Sequence, residues 1–345
     1  MSTPARNWLV FRLSALGDVL LTTGVLEYLH SEYNWRFHVL TKDSFAPVFA
    51  NNPAVELVLQ LQEKHLRISP MLALFMQLAD TYAGWGLLDL HGTLRSRLLG
   101  AIWRGPVARY PKQGFARRIF LASGRRWCKK LLDHTTVAQR YAMAVTKDSI
   151  DAGRLVPRMY LTDDERRDAR KRLEETFGDA ALHAADGLPH PVALHPYATH
   201  PGKAWPAEHW HALVTDMDSA GIPWIALGQG DAMFPGRAEE YSNTTSVREA
   251  AALLAECRVL VTGDSGPMHI SNAVGTPVVA LFGPTTREWG FYPTGEKDRV
   301  LELPLDCRPC SLHGKKDCPI HTKCLADISP ETVLAHLETM YCEQR

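Results

Sequence analysis

The sequence predicts an α/β protein of two doubly wound domains, each a parallel sheet with helices on both faces. Three observations predict it. Short apolar runs alternate with helical spacings from the first residues onward. The alternation breaks in a stretch rich in Ala, Gly, His and Pro at 178–191 and then restarts. The chain has 345 residues, too many for one ordinary core and suited to two of roughly 150 each. The domains are therefore placed at 1–178 and 179–345.

In the first half, Trp8-Leu9-Val10-Phe11 reads as a buried strand. A turn at 14–18 follows, and 19–30 has helical spacing through Val19, Thr22, Leu26 and Leu29. Residues 37–40 and 55–61 read as strands, 71–82 as a helix, and 86–90 as a strand that ends at His91-Gly92. Residues 163–177 form a charged amphipathic helix before the break. In the second half, 191–196 is a strand and its exit loop, 207–220 a helix closed by Gly221-Ile222-Pro223, and 224–227 a strand into Gly228-Gln229-Gly230. A helix at 247–256, a strand at 258–261 and a strand at 278–282 complete the pattern. Such sheets bind ligands at the C-terminal ends of their strands, so a cleft between the two domains is the expected site.

Composition excludes several classes. Apolar residues make up 46% and charged residues 22%, which argues against a disordered chain. Lys and Arg number 38, as do Asp and Glu, so no net field calls for nucleic acid. No apolar run reaches the ~18 residues that cross a bilayer. The first residues lack a signal-peptide layout, so the protein is expected in the cytoplasm, where disulfides do not carry a fold. Charge is nevertheless uneven. Arg95, Arg97, Arg104, Arg109, Lys112, Arg117, Arg118, Arg125, Arg126, Lys129 and Lys130 crowd a stretch with no Asp or Glu between Asp89 and Asp133. It is either a solvated face or a site for an anionic partner. Cys128, Cys257 and Cys342 are isolated thiols. Cys307, Cys310, Cys318 and Cys324 are spaced C-x2-C-x7-C-x5-C, which admits a structural zinc site or four free thiols, the last two spacings being loose for a zinc knuckle.

Three segments carry chemistry. In Val259-Leu260-Val261-Thr262-Gly263-Asp264-Ser265-Gly266-Pro267-Met268-His269 a buried strand runs into a small-residue turn and then a helix. Gly263 and Gly266 permit close ligand approach. The unpaired N–H groups of the helix start make an anion site, and Ser265 adds a hydroxyl. A matching turn, Phe282-Gly283-Pro284-Thr285, follows the next strand. The same Gly-Asp-Ser-Gly-Pro string mimics a serine-protease nucleophile, but strand–helix alternation argues against that fold. In Arg12-Leu13-Ser14-Ala15-Leu16-Gly17-Asp18-Val19, Asp18 is either a helix N-cap or a carboxylate facing the cleft as a general base. In His195-Pro196-Tyr197-Ala198-Thr199-His200-Pro201-Gly202-Lys203-Ala204-Trp205-Pro206, a stiff loop carries Lys203, which can reach a phosphate as a point charge.

Together these segments resemble the ADP-heptose:lipopolysaccharide heptosyltransferases of glycosyltransferase family 9. The matching strings are those around Asp18, Lys203-Ala204-Trp205-Pro206-Ala207-Glu208-His209-Trp210, and the Gly263–His269 turn with Gly275-Thr276-Pro277 and Gly283-Pro284-Thr285. Leu88-Asp89-Leu90-His91-Gly92-Thr93-Leu94-Arg95-Ser96 is similar to the family's first-domain strand and turn. The resemblance implies a GT-B fold: two Rossmann-like domains facing across a cleft, the first binding acceptor and the second binding donor. It implies inverting transfer of L-glycero-D-manno-heptose from ADP-heptose to the lipopolysaccharide inner core, with no cofactor beyond the ADP-sugar donor. Asp18 would be the general base. Lys203, Asp264, Ser265, Gly266 and His269 would hold the donor. Arg95, Arg117 and Arg118 would read a lipid-linked anionic saccharide acceptor. A monomer in loose peripheral contact with the inner membrane is expected. The alternatives are a nucleotide-sugar epimerase on the same scaffold, which needs no acceptor, and a binding protein with a dead site.

Overall fold

The computed structural model describes residues 6–123, 135–146, 148–178, 190–314, 318 and 320–342. Arg125, Arg126, Lys129, Lys130, Cys128 and most of the 178–191 stretch lie outside them. By contacts the chain forms two units: Met1–Phe115 with Thr135–Tyr160, and Ala116–His134 with Leu161–Arg345.

In the first unit, β1 (Asn7–Phe11), β2 (Arg36–Lys42), β3 (Val55–Leu61), β4 (Gly86–Asp89) and β5 (Val107–Arg109) form a sheet in the order β3-β2-β1-β4-β5, every pair parallel. β1 is central because its side chains are apolar on both faces: Leu9, Val10 and Phe11 are fully buried. α1 (Leu16–Tyr33) follows β1 and is buried almost all round, with Val19, Leu20, Val25, Leu26 and Leu29 inside. It can lie so deep because Gly24 has no side chain: a Cβ there would come within 2.1 Å of Val156 O. α2 (Ile68–Thr81) and α3 (Leu94–Ile102) cover one face through Met71, Phe75, Leu78 and Leu99, packed with Leu9, Phe11 and Leu87. α4 (Gly114–Ser123) and α5 (Val137–Ala142) complete the first half of the chain.

α6 (Asp163–Phe177) covers the helix read from the sequence and belongs to the second unit. Its Arg166 and Arg170 both meet the buried Glu256, and its Glu165 takes Arg248. The contact boundary thus falls at 160/161, ahead of α6, whereas the sequence reading ended the first domain after it. β6 (Val192–His195), β7 (Trp224–Ala226), β8 (Val259–Gly263), β9 (Val278–Phe282) and β10 (Arg299–Glu302) form the second sheet, order β10-β9-β8-β6-β7, again all parallel. α7 (Ala207–Ser219), α8 (Val247–Ala255), α9 (Gly266–Ala273), α10 (Lys323–Ala326) and α11 (Pro330–Cys342) surround it. Its core joins Trp205, Trp210, Leu213 and Met217 to Val192, Val261, Leu281 and Leu337. Part of α4 packs in this unit, with Phe120 edge-on to Trp289.

Candidate active site

A doubly wound sheet leaves a crevice where its strand order reverses, outside the strands' C-terminal ends. In the first unit that point lies between β1 and β4. β1 runs out through Arg12, and α1 begins at Leu16, so Asp18 sits in the first turn of the helix. It is not the N-cap. Ala15 holds that position, without a side-chain cap. The Asp18 carboxylate instead meets Arg12 Nη2 at 2.5 Å and accepts from Tyr141 Oη at 2.9 Å. Arg12 is itself buried and donates to Leu90 O at 2.5 Å, at the end of β4. Burial works against the Arg12 charge, but Tyr141 and Asp18 outweigh it, and its pKa lies above the ordinary value. Burial pushes the Tyr141 phenol well up, so it stays a proton donor. Three elements, β1, β4 and α5, thus fix one carboxylate, which keeps 23% of its side chain exposed.

Beside it, the buried Asp89 at the end of β4 accepts the N–H groups of His91 (3.1 Å) and Gly92 (2.8 Å), which shapes the turn. His91 stacks on Phe11 at 5.8 Å between ring centres. Burial, with Arg12 and Lys112 nearby, lowers its pKa to about 4, so the ring is neutral. Its Nδ1 is buried with no hydrogen-bond partner among the described residues. His91 and Arg12 stood in the strings read from the sequence without being singled out. Tyr141, far along the chain and in no motif, left no signal.

In the second unit the order reverses between β6 and β8. β8 ends at Gly263, Asp264 and Ser265 make the turn, and α9 starts at Gly266. Ser265 holds the N-cap position but makes no side-chain cap, so the first N–H groups of α9 are left for a ligand. The Ser265 hydroxyl meets Thr262 Oγ1 (3.0 Å) and His195 Nδ1 (3.3 Å). His195, at the end of β6, is buried, and burial lowers its pKa to about 4. It was read from the sequence only as part of the loop string. Lys203 Nζ lies 2.5 Å from Asp264 Oδ2 and 3.3 Å from Asp264 O. Thr285, from the turn after β9, donates to the same Oδ2 at 2.8 Å. The Lys203 stem rests on Gly314, where a Cβ would come within 2.7 Å of Lys203 Cγ. His269 is buried on α9. Lys203, Asp264, Ser265 and Gly266 therefore form one cluster with an ammonium, hydroxyls and a helix N-terminus. That combination is suited to a departing phosphate. A hollow of about 660 Å³ in the same unit is lined by Phe120, Thr286, Glu302, Asp306 and Arg308, room enough for a small ligand.

The three arginines expected to read an acceptor are divided between the units, Arg95 in the first and Arg117 and Arg118 in the second. Arg95 is exposed on α3 in the first unit. Arg117 donates to Trp289 O at 2.6 Å and stacks on Trp289 and Phe291 in the second. Arg118 is exposed on α4. Cys307, Cys318 and Cys324 are free thiols. Cys324 is buried, which raises its thiol to about 11, with Cys307, Cys310 and Cys318 near enough to add to the shift. Among the described residues no group of three or more His, Cys, Asp or Glu is placed to hold a metal ion.

Two parallel α/β units, each with a polar cluster at its strand reversal, place the protein in the GT-B class of glycosyltransferase folds. The chain belongs to glycosyltransferase family 9 (heptosyltransferase), whose family model matches residues 86–321. It is 35% identical over 103 residues to lipooligosaccharide heptosyltransferase 2 of Campylobacter jejuni, covering 28% of this chain and 30% of that protein. It is 32% identical over 100 residues to lipopolysaccharide heptosyltransferase 2 of Salmonella typhimurium, covering 29% and 28%. The matched stretch thus spans less than a third of either relative. The fold is similar to that of a family 9 glycosyl transferase from Veillonella parvula, with TM-score 0.74 and 19% identity over 99% of both chains. It is also similar to E. coli ADP-heptose lps heptosyltransferase II, with TM-score 0.68 and 19% identity over 98% of this chain and 99% of that one.

Proposed function

We propose that this chain is an inverting glycosyltransferase that moves L-glycero-D-manno-heptose from ADP-heptose to the inner core of lipopolysaccharide. Family membership supports the class of reaction. The observation that carries the rest is the Asp18 carboxylate, held by Arg12 and Tyr141 instead of capping α1. A carboxylate with its lone pairs steered and one side open suits a general base. Asp18 takes the proton of an acceptor hydroxyl as that oxygen attacks the anomeric carbon. The bond from that carbon to the diphosphate breaks, and ADP leaves with the bonding pair. Lys203, Ser265 and the N-terminus of α9 stabilise the charge that develops on it. Asp264 holds the sugar hydroxyls while steering Lys203. The first domain serves the acceptor and the second the donor. The protein acts as a monomer in peripheral contact with the inner membrane, on a lipid-linked anionic saccharide.

The test is ADP release by the purified chain with ADP-heptose, with and without a heptose-deficient lipopolysaccharide. Release that requires the acceptor is the expected result. Acceptor-independent conversion of the donor to an isomer would instead establish the epimerase. Binding of ADP-heptose with no turnover under either condition would leave only a binding protein.

A further inference from the structure

We propose that the outer side of α2 and α3 is a docking surface for an anionic phospholipid bilayer. Both helices bury one side in the same core, so what they leave outside belongs to one layer over one face of the first sheet. A helix that meets only water carries polar residues there. Here α2 exposes Ile68, Leu72 and Met76, and α3 exposes Leu94, Leu98 and Ile102, each row at i, i+4, i+8. Ile68 is 75% exposed, Met76 63% and Leu94 85%. Single exposed apolar residues are ordinary, but two rows at helical spacing on neighbouring helices are not.

Charge decides what covers them. Lys64 and Arg67 lead into α2, and Arg95 and Arg97 lie on α3. All four are exposed, and none has a carboxylate partner among the described residues. The carboxylates at the two ends of α2 are already engaged, Glu63 with Lys42 at 3.4 Å and Asp80 with Arg104 at 2.7 Å. Apolar rows framed by unpaired cations complement a surface that is anionic at its face and apolar beneath. A second copy meeting this face about a two-fold axis would set these cations against themselves. The inference deepens the proposed function, whose acceptor is lipid-linked, by naming the side that meets the lipid. Its measurement does not depend on turnover.

The experiment is flotation of the full chain with vesicles of phosphatidylcholine alone and with added phosphatidylglycerol. Binding to the anionic vesicles is expected, weakening as salt is raised. The variants Lys64→Glu/Arg67→Glu and Ile68→Ser/Met76→Ser should each lower partitioning at least about tenfold. Both should keep the thermal shift with ADP-heptose, which shows that they fold. Absence of flotation, equal partitioning of variants and parent, or a dimer in sedimentation that Ile68→Ser/Met76→Ser abolishes would each overturn the proposal. Vesicle binding without any response to ADP-heptose would sink the proposed function and leave this surface standing.

Discussion

Lys203 and Asp264 lie 2.5 Å apart, and the same carboxylate oxygen accepts Thr285 Oγ1. The ammonium is therefore aimed by its neighbour before any ligand arrives. With side chains only 18% and 12% exposed, little water competes for either charge. Lys203→Ala should lower kcat/KM for ADP-heptose by roughly 100- to 1000-fold, the usual loss for one preorganised donor to developing charge. Asp264→Ala leaves that ammonium unaimed. The double variant should then lose less than the product of the two single losses, since the residues act as a unit. Steady-state ADP release from the four proteins measures this, and strictly multiplicative losses would show two independent roles.

Asp18→Asn keeps shape and removes the carboxylate proposed as proton acceptor. It should keep the donor-induced melting shift and lose about 100- to 10,000-fold in kcat. Tyr141→Phe removes one hydrogen bond to a charged group, worth about 1.5–3 kcal/mol, and should cost roughly tenfold or more in rate. A melting shift abolished in Asp18→Asn would move this carboxylate into donor binding.

His195 sets a pH dependence of stability. Its folded pKa is about 4 against an ordinary 6.5. As pH falls, the unfolded chain takes up the proton first, so stability is full above pH 6.5 and drains away down to pH 4. For this one buried ring the loss is about 3 kcal/mol. Denaturant titrations at pH 7 and pH 5 on the parent and His195→Gln should show a shallower fall in the variant. His91, lowered in the same direction, keeps its own share.

Gly314 has φ +75° and lies against Lys203, while Gly236 has φ +83° with open space where a Cβ would go. Each substitution by Ala should cost about 1–2 kcal/mol for the left-handed backbone. Gly314→Ala alone should also weaken ADP binding by calorimetry, because it pushes the Lys203 stem aside. Equal ADP affinity in the two variants would free Gly314 of any part in the site.

The sheets were legible because parallel strands are buried on both faces and announce themselves as short apolar runs between turns. β3, α6 and β9 stand where the sequence put them. β5 gave no such run: it has three residues, Val107, Ala108 and Arg109, on a sheet edge. The Gly263 turn was legible because strand, turn and helix are contiguous there. The placement of the Asp18 side chain was only half legible. Its alternatives differ by where one side chain points, and that is decided by Tyr141, 123 positions away. Arg117 was read toward an acceptor because the aromatic rings it stacks on, Trp289 and Phe291, lie in another part of the chain.

The contact between Arg117 and Trp289 spans 172 positions. During synthesis at ~5–20 residues per second, α4 leaves the ribosome on the order of ten to thirty seconds before its partner exists. Over that interval Phe120 has no Trp289 to cover it. A ribosome stalled between residues 160 and 280 should therefore present α4 to chaperones as a sticky segment, although the first sheet already has all five of its strands. The first sheet can be translated and correctly paired while one helix still waits for residues made 172 positions later.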